Sequence, residues 1–235
     1  MRARAMATLL ATLLPMAAWA QPQDTGAGTS KASIVVLDRV ITLRVGQRGR
    51  ADRTEVVRVE LRDDAAVAAF GQLLFPYLPE HERVTLRRLV VVKADGRRVE
   101  LSDTKVDDLT NSGGDQAPDA RARHVAVPGI VPGDTLEYEI TTATVKPLVE
   151  NHLWTEQSFT RHTVVVHEQF EVRAPADVAL LVQARPGLDA QLVQRVEGNE
   201  RVWRWEHAVP ELAVPDLSRP GALEAALRQP PDIIV

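Results

Sequence analysis

The chain has 235 residues, 45% of them hydrophobic and 26% charged, with 15 prolines and 13 glycines, a composition of globular proteins rather than of disordered, collagenous or polytopic membrane chains. It contains no cysteine, which excludes a disulfide, a thiol nucleophile, a thiolate metal site and a lipid-modified cysteine. A net charge of -4 lacks the basic footprint that a phosphate backbone requires, so nucleic acid is not an expected partner.

Arg2 and Arg4 precede an apolar run from Ala5 to Ala18, which closes on Ala18, Trp19 and Ala20. This is the plan of a secretory signal peptide, with cleavage expected after Ala20, and the run falls short of the about 20 apolar residues that span a bilayer. Removing residues 1–20 takes away two arginines and no acid, leaving a net charge of -6. The expectation is an exported protein, periplasmic or secreted, with no membrane span in the mature chain. Residues 21–33 read as a flexible lead-in rich in Gly, Thr and Ser.

The body has the period of strands. Val35, Leu37, Ile41, Leu43 and Val45 share one parity, interrupted by Arg39, and Val57, Val59 and Leu61 repeat the alternation. The two segments predict a hairpin closed through Gly46 to Asp52. Residues 63–75 fit neither period, and their alanines allow one short helix. A strand over Arg83 to Lys93 meets Ala94-Asp95-Gly96-Arg97, a hairpin signal for a type I′ turn. Lys105 to Arg121 loses periodicity and reads as a long surface loop. Pro128-Gly129 and Pro132-Gly133 set up two tight turns before a strand carrying Leu136, Tyr138 and Ile140.

A strand over Thr160 to Arg173 would place Val164, Val166, Phe170 and Val172 on one face and His167, Gln169, Glu171 and Arg173 on the other. Val178 to Val182, Gln191 to Val196 and Arg201 to His207 complete the series. About ten short, mostly antiparallel strands with at most a short helix predict an all-β sandwich over residues 34–214. Residues 215–235 are interrupted by proline and read as a linker or a truncated exit.

The order of landmarks is specific. Ala94-Asp95-Gly96 is followed by a polar loop, then by Val127-Pro128-Gly129-Ile130-Val131-Pro132-Gly133-Asp134 and an alternating strand. Trp154 and Phe159 come next, then a strand ending at Arg173-Ala174-Pro175, then Trp203-Arg204-Trp205 before Val209-Pro210-Glu211. From about Asp38 onward this resembles the uncharacterised domain, a domain of unknown function, at the N-terminus of exported bacterial transglutaminase-like proteins. The resemblance implies a β-sandwich that precedes a core with a Cys, His and Asp catalytic set. No residue of that core can be carried over to this chain, which has no cysteine.

The residues themselves offer few chemical candidates. His81, His124, His152, His162, His167 and His207 have no ligand-spaced motif, and His162 and His167 would fall on opposite faces of one strand. Asp63-Asp64 and Asp107-Asp108 lack the pattern of a calcium loop and read as solvated charge. Ser102 with Asp103, and Ser158 with His162, hold residue types of a serine hydrolase outside any Gly-x-Ser-x-Gly setting. Trp203 and Trp205 share a strand face, which suits either a core or a platform for sugar rings.

The expectation is therefore a non-catalytic interaction module of a transglutaminase-like protein, not an enzyme, with no catalytic, cofactor-binding or metal residues and no cofactor. Its partner would be a transglutaminase-like core or an envelope protein. Two alternatives stand beside it: a free-standing module for envelope glycan or peptide, and a hydrolase with an unrecognised site.

Overall fold

A computed structural model describes residues 32–101, 106–110, 120–188, 191–211 and 230–235. The strands are β1 (Ile34–Val45), β2 (Ala51–Leu61), β3 (Gln72–Tyr77), β4 (Glu82–Val92), β5 (Arg98–Glu100), β6 (Val106–Thr110), β7 (Arg121–Ala126) and β8 (Thr135–Thr144). They continue as β9 (Glu156–Gln157), β10 (Val164–Pro175), β11 (Gln183–Ala184), β12 (Val193–Glu197), β13 (Glu200–Val209) and β14 (Ile233–Ile234). One helix, α1 (Asp64–Phe70), lies between β2 and β3. Eight strands form the main sheet in the order β12-β13-β10-β1-β2-β8-β4-β5; β11-β14-β9 and β3-β7-β6 form two small ones. The main sheet is mixed, because β1 runs parallel to β10 while its other pairings are antiparallel. The all-β class holds, with more strands than the sequence suggests, and the main sheet does not close into a barrel.

Paired residues in a sheet share a face, so the register shows how the inner face is built. Ile34 and Val36 of β1 pair with Leu61 and Val59, and Ile41, Leu43 and Val45 pair with Glu55, Arg53 and Ala51. One apolar half gathers Ile34, Val57, Val59, Leu61, Leu89 and Leu136 under α1, β3 and β7. The other gathers Ile41, Leu43, Phe170, Val172, Trp203 and Trp205 under Phe159, Ile233 and Val235. Between the halves runs a polar belt of Arg39, Arg53, Glu55 and Glu168. The opposite face carries ion pairs such as Arg98 and Arg58 with Glu137, and Arg173 and Arg204 with Glu171.

Local physics explains where the strand period slips. A register shift between Val36 and Asp38 changes the phase of β1: Ile34 and Val36 face inward before it and Arg39, Ile41, Leu43 and Val45 after it, so Val35 and Leu37 do not share the face expected of them, while Arg39, which interrupts the apolar pattern, does face inward. A second shift, between Val165 and Glu168 on β10, buries Val165 and exposes Val166, so the expected phase holds for Phe170 and Val172 but not for Val166. The short helix is present, and Asp63 caps it by accepting from Ala66 N at 2.8 Å.

Gly129 and Gly133 adopt φ of 72° and 91°, as the Pro-Gly turns require. The Asp-Gly hairpin joins β4 and β5 with another turn. Gly96 has positive φ and Asp95 does not, and Lys93 and Arg97 close a three-residue loop, the type I turn with a glycine bulge.

Three readings change. Residues 106–110 of the expected surface loop form β6, which pairs with β7; residues 102–105 and 111–119 lie outside the described residues. Residues 178–182 form no strand. Residues 1–20, read as a signal peptide, residues 21–31 of the expected lead-in and residues 212–229 lie outside the described residues. Residues 230–235, which composition reads as an exit, include β14, and Ile233 is fully buried in the core between β11 and β9. Asp232, 1% exposed, holds that strand by accepting from Phe159 N at 2.8 Å and pairing with Arg161 and Arg185.

Candidate functional site

The sequence candidates are placed as follows. Trp203 and Trp205 are buried, and Trp205 stacks on Phe170 with centroids 6.0 Å apart, so they form core and not a sugar platform. Asp63 is the helix cap, and Asp108 pairs with Arg123 at 3.0 Å. His162 precedes β10 and is exposed, and His167 on β10 is held by Asp38 at 2.5 Å. His207 stacks on Phe159 and donates from Nε2 to the Thr160 carbonyl at 3.0 Å. Among the described residues no hydrogen bond joins Ser158 to His162, and no group of three His, Asp or Glu stands ready for a metal ion. Ser102 and Asp103 lie outside the described residues.

The polar belt is the strongest electrostatic feature. Arg39 donates from Nε to Glu55 at 2.8 Å and from Nη1 to Glu168 at 2.7 Å. Glu168, without exposure, also accepts from Thr160 N at 2.8 Å, and Arg53 donates to Gln157 Oε1 at 2.8 Å. Burial opposes the charge on Glu55, but Arg39 and Arg53 outweigh it and hold its carboxyl below the usual range. Burial, reinforced by Glu55, pushes the Tyr138 phenol well above its ordinary value. The acids of the belt face cations that neutralise them, so the belt fastens the segment from Gln157 to Thr160 onto the main sheet. It offers no unpaired base.

The concave feature lies elsewhere, at the end of the sandwich where β1 turns into β2. A cleft of about 530 Å³ opens between that turn, residues 151–154, residues 177–183 and the end of β14. Val45 and Val235, both buried, belong to its lining. Gly49, at φ 74°, packs so closely that a Cβ there would stand 2.7 Å from the His152 backbone nitrogen. Arg48 and Asn151 adopt φ of 60° and 62°, the two non-glycine residues with positive φ among those described, and both line the cleft. Gln47 bridges to Asp177 at 3.2 Å. Trp154 and Leu181 stand 65% and 72% exposed at the same place.

The sequence names Trp154 only as a landmark. Residues 145–155 have no period to mark them, and the cleft joins segments about 130 residues apart.

Residues 47–210 match a family described as a Domain of Unknown Function with a solved structure, DUF3857. A search of curated proteins gives no match. Among solved structures, the chain is similar to a "putative protease" from Parabacteroides distasonis, at a TM-score of 0.70 and 13% identity. The match covers 86% of this chain and 40% of that one, so the chain spans well under half of that protein's length. An M1 zinc metallopeptidase from Deinococcus radiodurans aligns at a TM-score of 0.42 and 14% identity, over 77% of this chain and 40% of its own. Among the described residues no helix is long and apolar enough to cross a membrane.

Proposed function

The chain belongs to the DUF3857 family, and we propose that it is a non-catalytic, exported accessory domain that docks onto a transglutaminase-like core. The resemblance of its landmarks to the domain that precedes such cores supports the partner, and the plan of residues 1–20 supports export to the periplasm or beyond. The likeness to part of a longer protein agrees with a domain that works beside another.

The observation that carries the reading is the open edge of the main sheet at β12. Among the described residues β12 pairs with β13 alone, and its Val193 and Val196 are 52% and 70% exposed. The opposite edge, β5, is three residues long and carries exposed Arg98 and Glu100. β12 is the longer of the two edges, has no proline and presents exposed Val193 and Val196 beside the Arg195–Glu197 ion pair, so it is the better template for an added strand.

The test is hydrogen exchange of the protein mixed with a transglutaminase-like core polypeptide from the same cell. Slowed exchange over residues 193–197, lost in the Val193→Lys/Val196→Lys variant, is the expected result. Unchanged exchange along β12 would overturn this mode of docking.

A further inference from the structure

We propose that the cleft at the β1–β2 end binds a short, uncharged pyranose oligosaccharide, with Trp154 as its stacking platform. This goes beyond the accessory role and does not rest on it, because β12 and the cleft are separate surfaces.

Trp154 is the starting point. A tryptophan side chain is ordinarily well buried, and the other two described tryptophans are; Trp154 is 65% exposed beside a concave space. The apolar C–H face of a pyranose ring matches an open indole, while its hydroxyls need planar polar groups around the rim. Asn151, Gln183, Asp177 and Arg48, all exposed, supply an amide, an amide, a carboxylate and a guanidinium on the same cleft. Such groups both donate to and accept from hydroxyls. One acid and one arginine balance, which favours a neutral ligand over a phosphate or a cation. A volume of about 530 Å³ lies within the general range for small-molecule sites.

The backbone adds an independent argument. Glycine takes the left-handed region freely, yet this cleft places Arg48 and Asn151 there. Asparagine enters that region readily and arginine rarely, so Arg48 is the strained position, and its conformation sets a guanidinium on the rim. An apolar peptide is the other occupant to weigh. Leu153, Leu180, Leu181 and Ile234 also line the cleft, so the titration includes such a peptide as a separate arm.

The experiment titrates the protein with cellobiose, maltotriose and chitotriose, and separately with an apolar hexapeptide, following tryptophan emission. The expected result is a saturable blue shift and a heat of binding by calorimetry with at least one sugar, the heat abolished by Trp154→Ala. Asn151→Gly, which suits the backbone and removes only the amide, should weaken binding about fivefold or more with the fold intact by circular dichroism. Three results would overturn the proposal: no shift with any sugar, an undiminished heat in Trp154→Ala, or a response to the peptide alone. Wild-type affinity in Asn151→Gly would remove the rim from the account.

Discussion

Arg39 on β1 donates to the fully buried Glu168 of β10 at 2.7 Å, across the parallel pairing of the main sheet and between the two apolar halves of its inner face. Removing the cation alone would strand Glu168 and Glu55 in a poorly solvated belt. Arg39→Leu should therefore destabilise the protein by about 3–5 kcal/mol, and Arg39→Leu/Glu168→Leu by clearly less than the sum of the single changes. Denaturant unfolding of the three variants checks this; strict additivity would mean that the pair is not coupled.

The belt also sets a pH dependence. Glu55 is held below the ordinary carboxylate range, since Arg39 and Arg53 outweigh its burial. Such a group binds fewer protons folded than unfolded. Its contribution is complete above the unfolded value of about 4.3 and is lost as pH falls through the lower folded value. Glu137 and Glu171 are held low on the opposite face by their arginines and act in the same direction. The denaturation midpoint should stay level from about pH 6 to 8 and fall below about pH 4.5, and Glu55→Gln should flatten part of that fall. An unchanged slope in that variant would remove Glu55 from the explanation.

Glycines with positive φ separate strain from crowding. Gly129, at φ 72°, has open space around its absent Cβ, whereas Gly49, at φ 74°, presses on the His152 backbone. Gly129→Ala should cost about 1 kcal/mol, and Gly49→Ala about 2–4 kcal/mol. Gly133→Val, at φ 91° before β8, should cost about 1–3 kcal/mol. Equal losses at Gly129 and Gly49 in thermal unfolding would refute the close approach.

Asp232 fastens β14. Asp232→Ala would leave the buried Phe159 N without its acceptor and remove the ion pairs to Arg161 and Arg185, and should destabilise by about 2–4 kcal/mol. Faster hydrogen exchange at residues 156–157 and 183–184 would accompany the loss, because β14 pairs with both. Protection equal to the wild type would show that apolar packing alone holds the strand.

The residues made the strand class legible because alternation marks β1, β2 and β8, and because proline and glycine mark the turns that join them. They could not show that Arg39 finds Glu168, since the partners lie 129 positions apart and nothing in the period says that β1 pairs with β10. Nor could they show β14, where two isoleucines are too few to form a period. The tryptophans illustrate the limit at the candidate site: Trp203 and Trp205 stand out by their spacing and are core, whereas Trp154, in an irregular segment, is the exposed one.

The most direct measurement is turnover by the purified protein, using hydroxamate formation on a glutamine peptide and cleavage of casein. The account predicts rates equal to the blank while the protein is folded by circular dichroism. Turnover that follows the protein through purification, and that is lost on changing Ser158, His162 or another single Ser, His or Asp, would contradict it.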